Sequence, residues 1–278
     1  MALIDLFDIK KQYDIKLLLN DVNFHLNEGE RIAVVGQNGC GKSTLMKIAL
    51  GTELPTEGKR VVNASLQVEM LAQQPVFEST LTVRDAILGE LTELKSAQEE
   101  HAKLSLEVAE DFENRELLTK LEHISAYLDH HNAWNLDDKI ERILQEFKLK
   151  AYENRLVISL SGGEQRRVAL ASLVLKKPDV LLLDEPTNHL DVYMVEFLEE
   201  ILLKEKFTLL FISHDRHFID TIATRVIEVE NQGLVSYKGG YRDYLVQKEE
   251  RMKSLAKSHD TLVKMLKREE EWLGKSVR

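Results

Sequence analysis

The sequence predicts an α/β fold, in which a sheet carries helices on its faces, and two patterns support this prediction. Short apolar runs typical of strands recur along the chain and alternate with helical patterns. The run RIAVVG at 31–36 is apolar on both faces, which is typical of a strand buried inside a sheet. The predicted strands are LIDLFDI, VNFHL, RIAVVG, 66–72, 179–185, 208–213, 225–230 and 233–237.

Helices are predicted between these strands and beyond the last of them. One covers KSTLMKIAL and ends at Gly51, a residue suited to a helix C-terminus. From Ala86 to about Phe147 there is no proline, and polar EVAEDFENRE predicts the tip of a helical hairpin. A last helix is predicted from about Tyr241 to Leu273. The apolar seams of the middle block are Ile87, Leu88, Leu91 and Leu94; Leu117, Leu121, Ile124 and Leu128; and Ile140, Ile143, Leu144 and Phe147.

Composition limits the classes of protein to which the chain can belong. A single cysteine, Cys40, excludes an internal disulfide, and no apolar run approaches the roughly 20 residues that span a bilayer. The start, MALIDLFDIKK, has acids where a signal peptide has basic residues, so a cytoplasmic protein is expected. The net charge of −10 argues against a protein that coats nucleic acid. Residues 248–278 hold nine Lys/Arg against six Asp/Glu, which fits either a solvated helix face or a local nucleic-acid contact.

A phosphate-binding loop follows the third predicted strand. The segment from Gly36 to Ser43 matches G-x-x-x-x-G-K-S between a buried strand and a helix. Its glycines let backbone N–H groups point at phosphate oxygens, while Lys42 reaches the β- and γ-phosphates and Ser43 binds Mg²⁺. Cys40 is interpreted as a small residue in the loop, with a redox role as the alternative. The candidate ligands in this segment and directly after it are Gly36, Gln37, Asn38, Gly39, Cys40, Gly41, Lys42, Ser43 and Thr44.

A second chemical motif is VLLLDEPTNHLD at 180–191, an apolar strand that ends in two acids. Carboxylates at the C-terminal edge of a sheet lie where ligands bind in such folds. Asp184 is therefore a candidate ligand of Mg²⁺, directly or through water. Glu185 is a candidate to accept a proton from an attacking water.

The phosphate-binding loop, LSGGE, LLLDEPTNHLD and FISHD, in this order, resemble the nucleotide-binding domain of ATP-binding cassette (ABC) proteins over residues 1 to about 240. The resemblance implies an ATPase that uses ATP and Mg²⁺. It also implies that Tyr13 stacks on adenine and that Gln73, rather than Gln74, senses Mg²⁺ and the γ-phosphate. Asp191 would belong to the D-loop, and His214 would contact the γ-phosphate. By this resemblance the catalytic set is Glu185, His214 and Gln73, and the metal ligands are Ser43, Gln73 and Asp184.

The stretch LSGGEQRR raises the question of which nucleotide it touches, since the chain already has a complete phosphate-binding loop. In ABC proteins two domains clamp two ATP molecules head to tail. The resemblance implies that Ser161, Gly162, Gly163 and Glu164 contact ATP bound to another cassette. A serine and two glycines ahead of a helix also suit an anion site at a helix N-terminus.

Three further features resemble the soluble ABC-F family: PTNHLD with SHDRHFID, the long stretch between Gln73 and Leu160, and the linker-like end from GGYRDYL to GKSVR. The segment YLDHHNAWNLDDKI, together with this linker-like end, is similar to the Uup branch of that family. The implied architecture is an ABC-type P-loop ATPase core at 1–240 with an antiparallel β subdomain. It adds a helical subdomain at about 74–172 with a hairpin arm at about 88–132, and a linker helix at 241–278.

This resemblance implies an ATP-driven clamp that pairs with a second cassette and engages the ribosome and tRNA to regulate translation. Because no second GxxxxGKS or LSGG is present, the chain is expected to be a fragment that ends inside the linker. A half-size protein that forms a homodimer is the alternative. Two other functions remain open: a DNA-associated ATPase acting on branched DNA or transposon excision, and, less favoured, the ATPase subunit of a transporter.

Overall fold

The computed structural model describes residues 2–63, 66–71, 75–89, 91–112, 114–130, 133–188, 190–204 and 207–276. The strands are β1 (Ala2–Tyr13), β2 (Lys16–Asn27), β3 (Arg31–Gly36), β4 (Glu57–Val62), β5 (Val68–Leu71), β6 (Val180–Asp184), β7 (Thr208–Ile212), β8 (Arg225–Glu230) and β9 (Gly233–Lys238). The helices are α1 (Lys42–Leu50), α2 (Val83–Gly89), α3 (Thr92–Glu110), α4 (Arg115–His130), α5 (Leu136–Glu146), α6 (Gly162–Lys176), α7 (Val192–Lys204), α8 (Arg216–Ile222) and α9 (Tyr241–Ser276). The chain forms two compact units, Met1–Leu66 with Leu198–Arg278, and Gln67–Phe197.

The first unit contains an antiparallel sheet in the order β2-β1-β4. Its inner face is apolar, with Ile4, Leu6, Leu19 and Leu26 almost fully buried. The sequence prediction missed β4, because EGKRVV is largely exposed and lacks the apolar alternation that marks a half-buried strand. The predicted antiparallel β subdomain is nevertheless confirmed.

The same unit holds strands in the order β7-β3-β8-β9. β3 runs parallel to β7 and β8, and β9 returns antiparallel to β8. Ile32, Ala33 and Val34 of β3 are buried, as the two-faced apolar run predicts. The helix behind β3 is α1, which ends at Gly51 with φ +95°, so the predicted C-terminal glycine cap is confirmed.

The second unit pairs β5 with β6 in parallel and packs α6 against β5, α2 and α5. The helices α3 and α4 form the predicted hairpin, and the turn between them falls inside EVAEDFENRE. The first predicted seam is divided between α2 and α3, because α2 ends at Gly89, a poor helix former. Ile140, Ile143, Leu144 and Phe147 are buried at α5, as predicted. The proposed subdomain limits of about 74–172 and 88–132 stay predictions.

The last element, α9, follows β9 directly and packs by its first turns against β9 and α8. It extends slightly beyond the predicted end at Leu273. Within the described ranges, no helix combines the length and the apolar content needed to cross a bilayer.

Candidate functional site

The phosphate-binding loop lies in the first unit, between β3 and α1. Gly36 has φ +147°, and a Cβ atom at this position would lie 2.7 Å from the carbonyl oxygen of Val229 on β8. Gly41 has φ +111° and caps the start of α1. These positions require glycine because the loop turns sharply while lying against the neighbouring strand.

Lys42 holds the loop from beneath. Its side chain is buried, and Nζ donates hydrogen bonds to the carbonyl oxygens of Gly36 (2.9 Å) and Gln37 (3.0 Å). Gln37, Asn38, Gly39 and Ser43 are exposed, while Cys40 and Thr44 are half-buried. The loop is therefore shaped for an anion at its outer surface, with an ammonium group below it.

Tyr13, at the end of β1, lies beside the first turn of α1. Its hydroxyl donates to Glu53, and this hydrogen bond raises the pKa of Tyr13, while an interaction with the Thr44 side chain opposes the shift. The ammonium group of Lys11 lies 4.9 Å from the ring centroid and 2.9 Å from Glu53. Tyr13 is 44% exposed, which suits a ring that offers a face to a ligand.

His214 follows β7 and shares a cavity of about 520 Å³ with the phosphate-binding loop. Asp215 caps α8 by accepting hydrogen bonds from the backbone N–H groups of His217 (2.9 Å) and Phe218 (3.2 Å). Its own N–H donates to the Ser213 hydroxyl (3.0 Å). These contacts fix the loop that carries His214. The cavity lining includes Gly36, Gln37, Lys42, His214, Glu228 and Lys248.

The acidic pair lies in the second unit, at the end of the fully buried β6. Asp184 and Glu185 are both buried, and Glu185 has φ +51°. Arg166 of α6 is also buried, and its Nη2 donates to the carbonyl oxygens of Asp184 (2.8 Å) and Glu185. Burial lowers the pKa of Arg166, while the charges of Asp184 and Glu185 oppose the shift. Arg166 thus holds the main chain that carries the Glu185 carboxylate.

The segment LSGGE forms the N-terminus of α6 in the same unit. Ser161 caps the helix, and its N–H and hydroxyl both donate to the Glu164 carboxylate at 2.8 Å, a reciprocal capping box. Hydrogen bonds from the backbone and side chain of Ser161 lower the pKa of Glu164. Ser161 and Gly162 are exposed, and Gly163 is half-exposed. A Cβ atom on Gly162 would meet no atom within 4 Å, so none of the described neighbouring residues requires glycine there.

The structure does not test the predicted roles of two site residues, Asp191 and Gln73. Asp191 caps α7 through a hydrogen bond from the N–H of Met194 (2.9 Å), a structural role that leaves its predicted D-loop role untested. Gln73, predicted to be a catalytic and metal-binding residue, lies outside the described residues, as does the alternative Gln74.

Sequence reasoning missed Arg166 and Glu53. Arg166 carried a signal, because it shares a helical face with the apolar residues Ala169, Leu170 and Leu173. An arginine on a buried face needs internal acceptors for its hydrogen bonds. Glu53 had no local signal, since its partner Tyr13 is far away in the sequence.

The residues fit ATP with Mg²⁺ in the chemistry of their donor groups. Ser43 presents an exposed hydroxyl on the first turn of α1, and Asp184 supplies a carboxylate. Both are hard oxygen ligands of the kind that Mg²⁺ prefers beside substrate phosphates.

Comparison with known proteins settles the family. A family model described as ABC transporter matches residues 19–188, and a second model of the same description matches 227–276. The chain belongs to the ABC transporter family. The prediction that it carries an ABC ATPase domain is therefore confirmed, as is its α/β fold class.

Curated relatives of this cassette include two ABC-F proteins. The ATP-binding protein Uup of Haemophilus influenzae is 37% identical over all of this chain and 42% of the relative's length. The energy-dependent translational throttle protein EttA of Mycobacterium tuberculosis is 34% identical over 97% of this chain and 48% of its own length. The chain thus spans less than half the length of these relatives.

Among solved structures, a dimer of the ATP-binding cassette MJ0796 bound to ADP and Pi shares the fold. The match has a TM-score of 0.60 and 20% identity, and it covers 84% of this chain and 98% of that chain. At this identity the similarity supports the fold alone.

Proposed function

We propose that this chain is the ATP-binding and ATP-hydrolysing cassette of an ABC-F protein. It pairs with a second cassette, closes around ATP, and in that state engages the ribosome and tRNA to regulate translation. The pairing partner is either a second cassette in a longer protein or another copy of this chain. Because translation takes place in the cytoplasm, the cassette acts there.

The observation that carries the proposal is the exposed N-terminus of α6. Ser161 and Gly162 lie at the surface, and the space beside Gly162 is open. A helix N-terminus attracts anions through its N–H groups and its dipole. A glycine that no internal contact requires is explained by the close approach of a group from outside the chain. The phosphate of a nucleotide held by another cassette has the charge and size for that position.

In the chain's own site, the loop N–H groups and Lys42 bind the β- and γ-phosphates. Tyr13 stacks on the adenine, His214 contacts the γ-phosphate, and Ser43 and Asp184 would each be ligands of Mg²⁺. When bound, Mg²⁺ would neutralise charge that develops on the phosphates during transfer. Glu185 accepts the proton of the attacking water. Gln73 and Asp191 keep their predicted roles as the γ-phosphate sensor and the D-loop acid.

The γ-phosphate supplies the free-energy difference between the open and closed states, because only ATP bridges both cassettes. The ribosomal role is supported by the relative named a translational throttle. Residues 248–278, with nine basic and six acidic residues, are the expected RNA contact. The arm, with ten acidic and four basic residues between 93 and 129, is expected to meet a basic protein surface rather than phosphate.

The test is co-sedimentation of the Glu185→Gln variant with ribosomes in ATP and Mg²⁺, with branched DNA as competitor. It is run on this chain and on the chain joined to a second cassette. The variant retains ATP binding but lacks the proton acceptor, so it accumulates in the closed state. ATP-dependent pelleting that DNA does not reduce is the expected result.

The matched control is the double variant Lys42→Ala/Glu185→Gln, which loses the phosphate contact and should not pellet. A second control replaces ATP with ADP. Binding to DNA with no protein in the ribosome pellet would contradict the translational role and favour the DNA-associated alternative.

A further inference from the structure

Arg166 joins the two chemical motifs of the second unit. The residue is 1% exposed and lies in the second turn of α6. Its Nη2 donates to two successive main-chain carbonyl oxygens, those of Asp184 and Glu185, where β6 ends. The guanidinium group of Arg166 therefore holds the main chain from which the Glu185 side chain extends.

The main chain at Glu185 is in a conformation that needs such support. Among the described non-glycine residues with positive φ, Glu185 is the only buried one; the others are exposed residues. L-residues avoid this region, and they remain there only where neighbouring contacts fix it. The carbonyl oxygen of Glu185 also accepts a hydrogen bond from the N–H of Asn188 (3.2 Å). The φ angle at Glu185 sets the direction of its Cα–Cβ bond, and hence where the carboxylate points.

The same helix begins at the segment that faces outward. Ser161 and Glu164 close the capping box at its first turn, and Arg166 follows five residues after Ser161, about 7.5 Å along the axis. From Val168 to Val174 the helix is buried, and a continuous hydrogen-bonded helix can carry a displacement from one end to the other. A contact at Ser161 is thus connected to Glu185 through about one and a half turns of helix and one side chain.

We propose that Arg166 is a positioning residue that fixes the left-handed main chain of Glu185 and so ties the outward-facing end of α6 to the catalytic carboxylate of the same chain. The proposal rests on the function proposed above for Glu185. When a nucleotide of the other cassette seats on Ser161 and Gly162, the shift of α6 aligns Glu185 for hydrolysis in its own site. Each cassette thereby senses the occupancy of the site it completes.

The test compares Arg166→Met and Arg166→Lys with the wild type, and then repeats Arg166→Met in the Glu185→Gln background. ATP affinity should stay within about twofold of the wild type, because Arg166 holds main-chain carbonyl oxygens after β6, whereas the proposed phosphate contacts come from the loop N–H groups and Lys42. The kcat should fall about 10–100-fold in Arg166→Met, as expected for a misplaced catalytic group. The kcat of Arg166→Lys should fall less, because lysine keeps one cationic donor nitrogen. In the Glu185→Gln background the further loss should be absent, since the carboxylate to be positioned is already gone.

Arg60→Met is the matched control. Arg60 also donates to two main-chain carbonyl oxygens, those of Ala49 and Leu50, both at 2.9 Å, but at the end of α1. Its replacement should lower stability without the loss of kcat. Amide hydrogen exchange gives an independent readout: the N–H of Asn188 should exchange faster in Arg166→Met and not in Arg60→Met.

An equal loss of kcat in both backgrounds, or unchanged exchange at Asn188 in folded Arg166→Met, overturns the positioning role. If Glu185→Gln itself keeps full activity, the function proposed for Glu185 fails instead. The Asn188 exchange then still decides whether Arg166 holds the turn.

Discussion

The base of α9 is fixed to β8 by a buried carboxylate, and replacing its cationic partner should destabilise the protein. Glu228 has an 8% exposed side chain and forms an ion pair with Lys248. It also accepts hydrogen bonds from Tyr244 (3.1 Å) and Tyr237 (3.4 Å). The variant Lys248→Met keeps the aliphatic stem and removes only the ammonium group. Glu228 then remains buried with two phenolic donors and no counter-charge.

The expected loss follows from these contacts. Breaking a buried ion pair by removing one partner costs about 3–5 kcal/mol. Here Lys248 is 31% exposed, so water screens part of the interaction, and the two tyrosines keep donating to Glu228. We therefore expect a loss of about 2 kcal/mol in the free energy of unfolding, which corresponds to a fall of about 4–8 °C in Tm for a chain of this size. The double variant Lys248→Met/Glu228→Gln should recover about half of this loss, because no buried charge is left without a partner.

Thermal and urea unfolding followed by circular dichroism measure these changes. Lys253→Met serves as the control, since Lys253 pairs with Glu249 on the exposed surface of the same helix, and no measurable change is expected. An unchanged unfolding midpoint for Lys248→Met would refute the reasoning. A double variant less stable than Lys248→Met would refute it equally, because the loss would then not arise from the buried charge.

Three other outcomes are expected. Gly162→Ala should leave the unfolding midpoint unchanged or raise it, because its Cβ meets no atom within 4 Å, yet ATP-dependent association measured by light scattering should fall; association equal to that of the wild type would remove the role of Gly162 in pairing. Glu185→Gln should lower kcat by about 10²–10⁴-fold while nucleotide titration still shows binding, whereas Lys42→Ala should weaken binding itself; the reverse pattern would exchange their roles. Burial lowers the pKa of Lys248, but hydrogen bonds to Glu228 and Tyr244 outweigh it and raise this pKa above its ordinary value of 10.5. The stability that Lys248 contributes is therefore complete below pH 10.5 and is lost as the pH rises through the higher folded-state pKa. Above pH 10.5 the free energy of unfolding should therefore fall more steeply with pH in the wild type than in Lys248→Met.

Each of the two units contains one element that connects a proposed nucleotide-binding segment with another part of the same unit. In the first unit, β8 contributes Val229, whose carbonyl oxygen lies against Gly36 of the phosphate-binding loop, and Glu228, which anchors α9. One strand thus contacts both the nucleotide loop and the base of the last helix. In the second unit, α6 connects Ser161 with Glu185 through Arg166. The ATP-driven clamp proposed above would require mechanical links of this kind.

The sequence predicted strands best where both faces of the strand are buried. The strands β3, β6 and β7 are buried on both faces, so continuous apolar runs marked them. The strand β4 was missed because its stability comes from pairing with β1, and its side chains are mostly exposed. The break between α2 and α3 was missed because a single glycine ends one helix while the apolar spacing continues across it.

By itself, the sequence determined the phosphate-binding loop, the capped start of α6 and the acid-ended strand β6. Each of these depends on neighbours within a few residues, since glycine conformation, helix capping and strand burial are set locally. Only the tertiary structure decided that Arg166 holds the main chain of Glu185, that Glu53 binds Tyr13, and that Lys248 neutralises Glu228. In each pair the partners are far apart in the sequence, so the contact exists only once the chain has folded. At Arg166 and Glu228 folding also buries the polar groups, and burial strengthens their contacts.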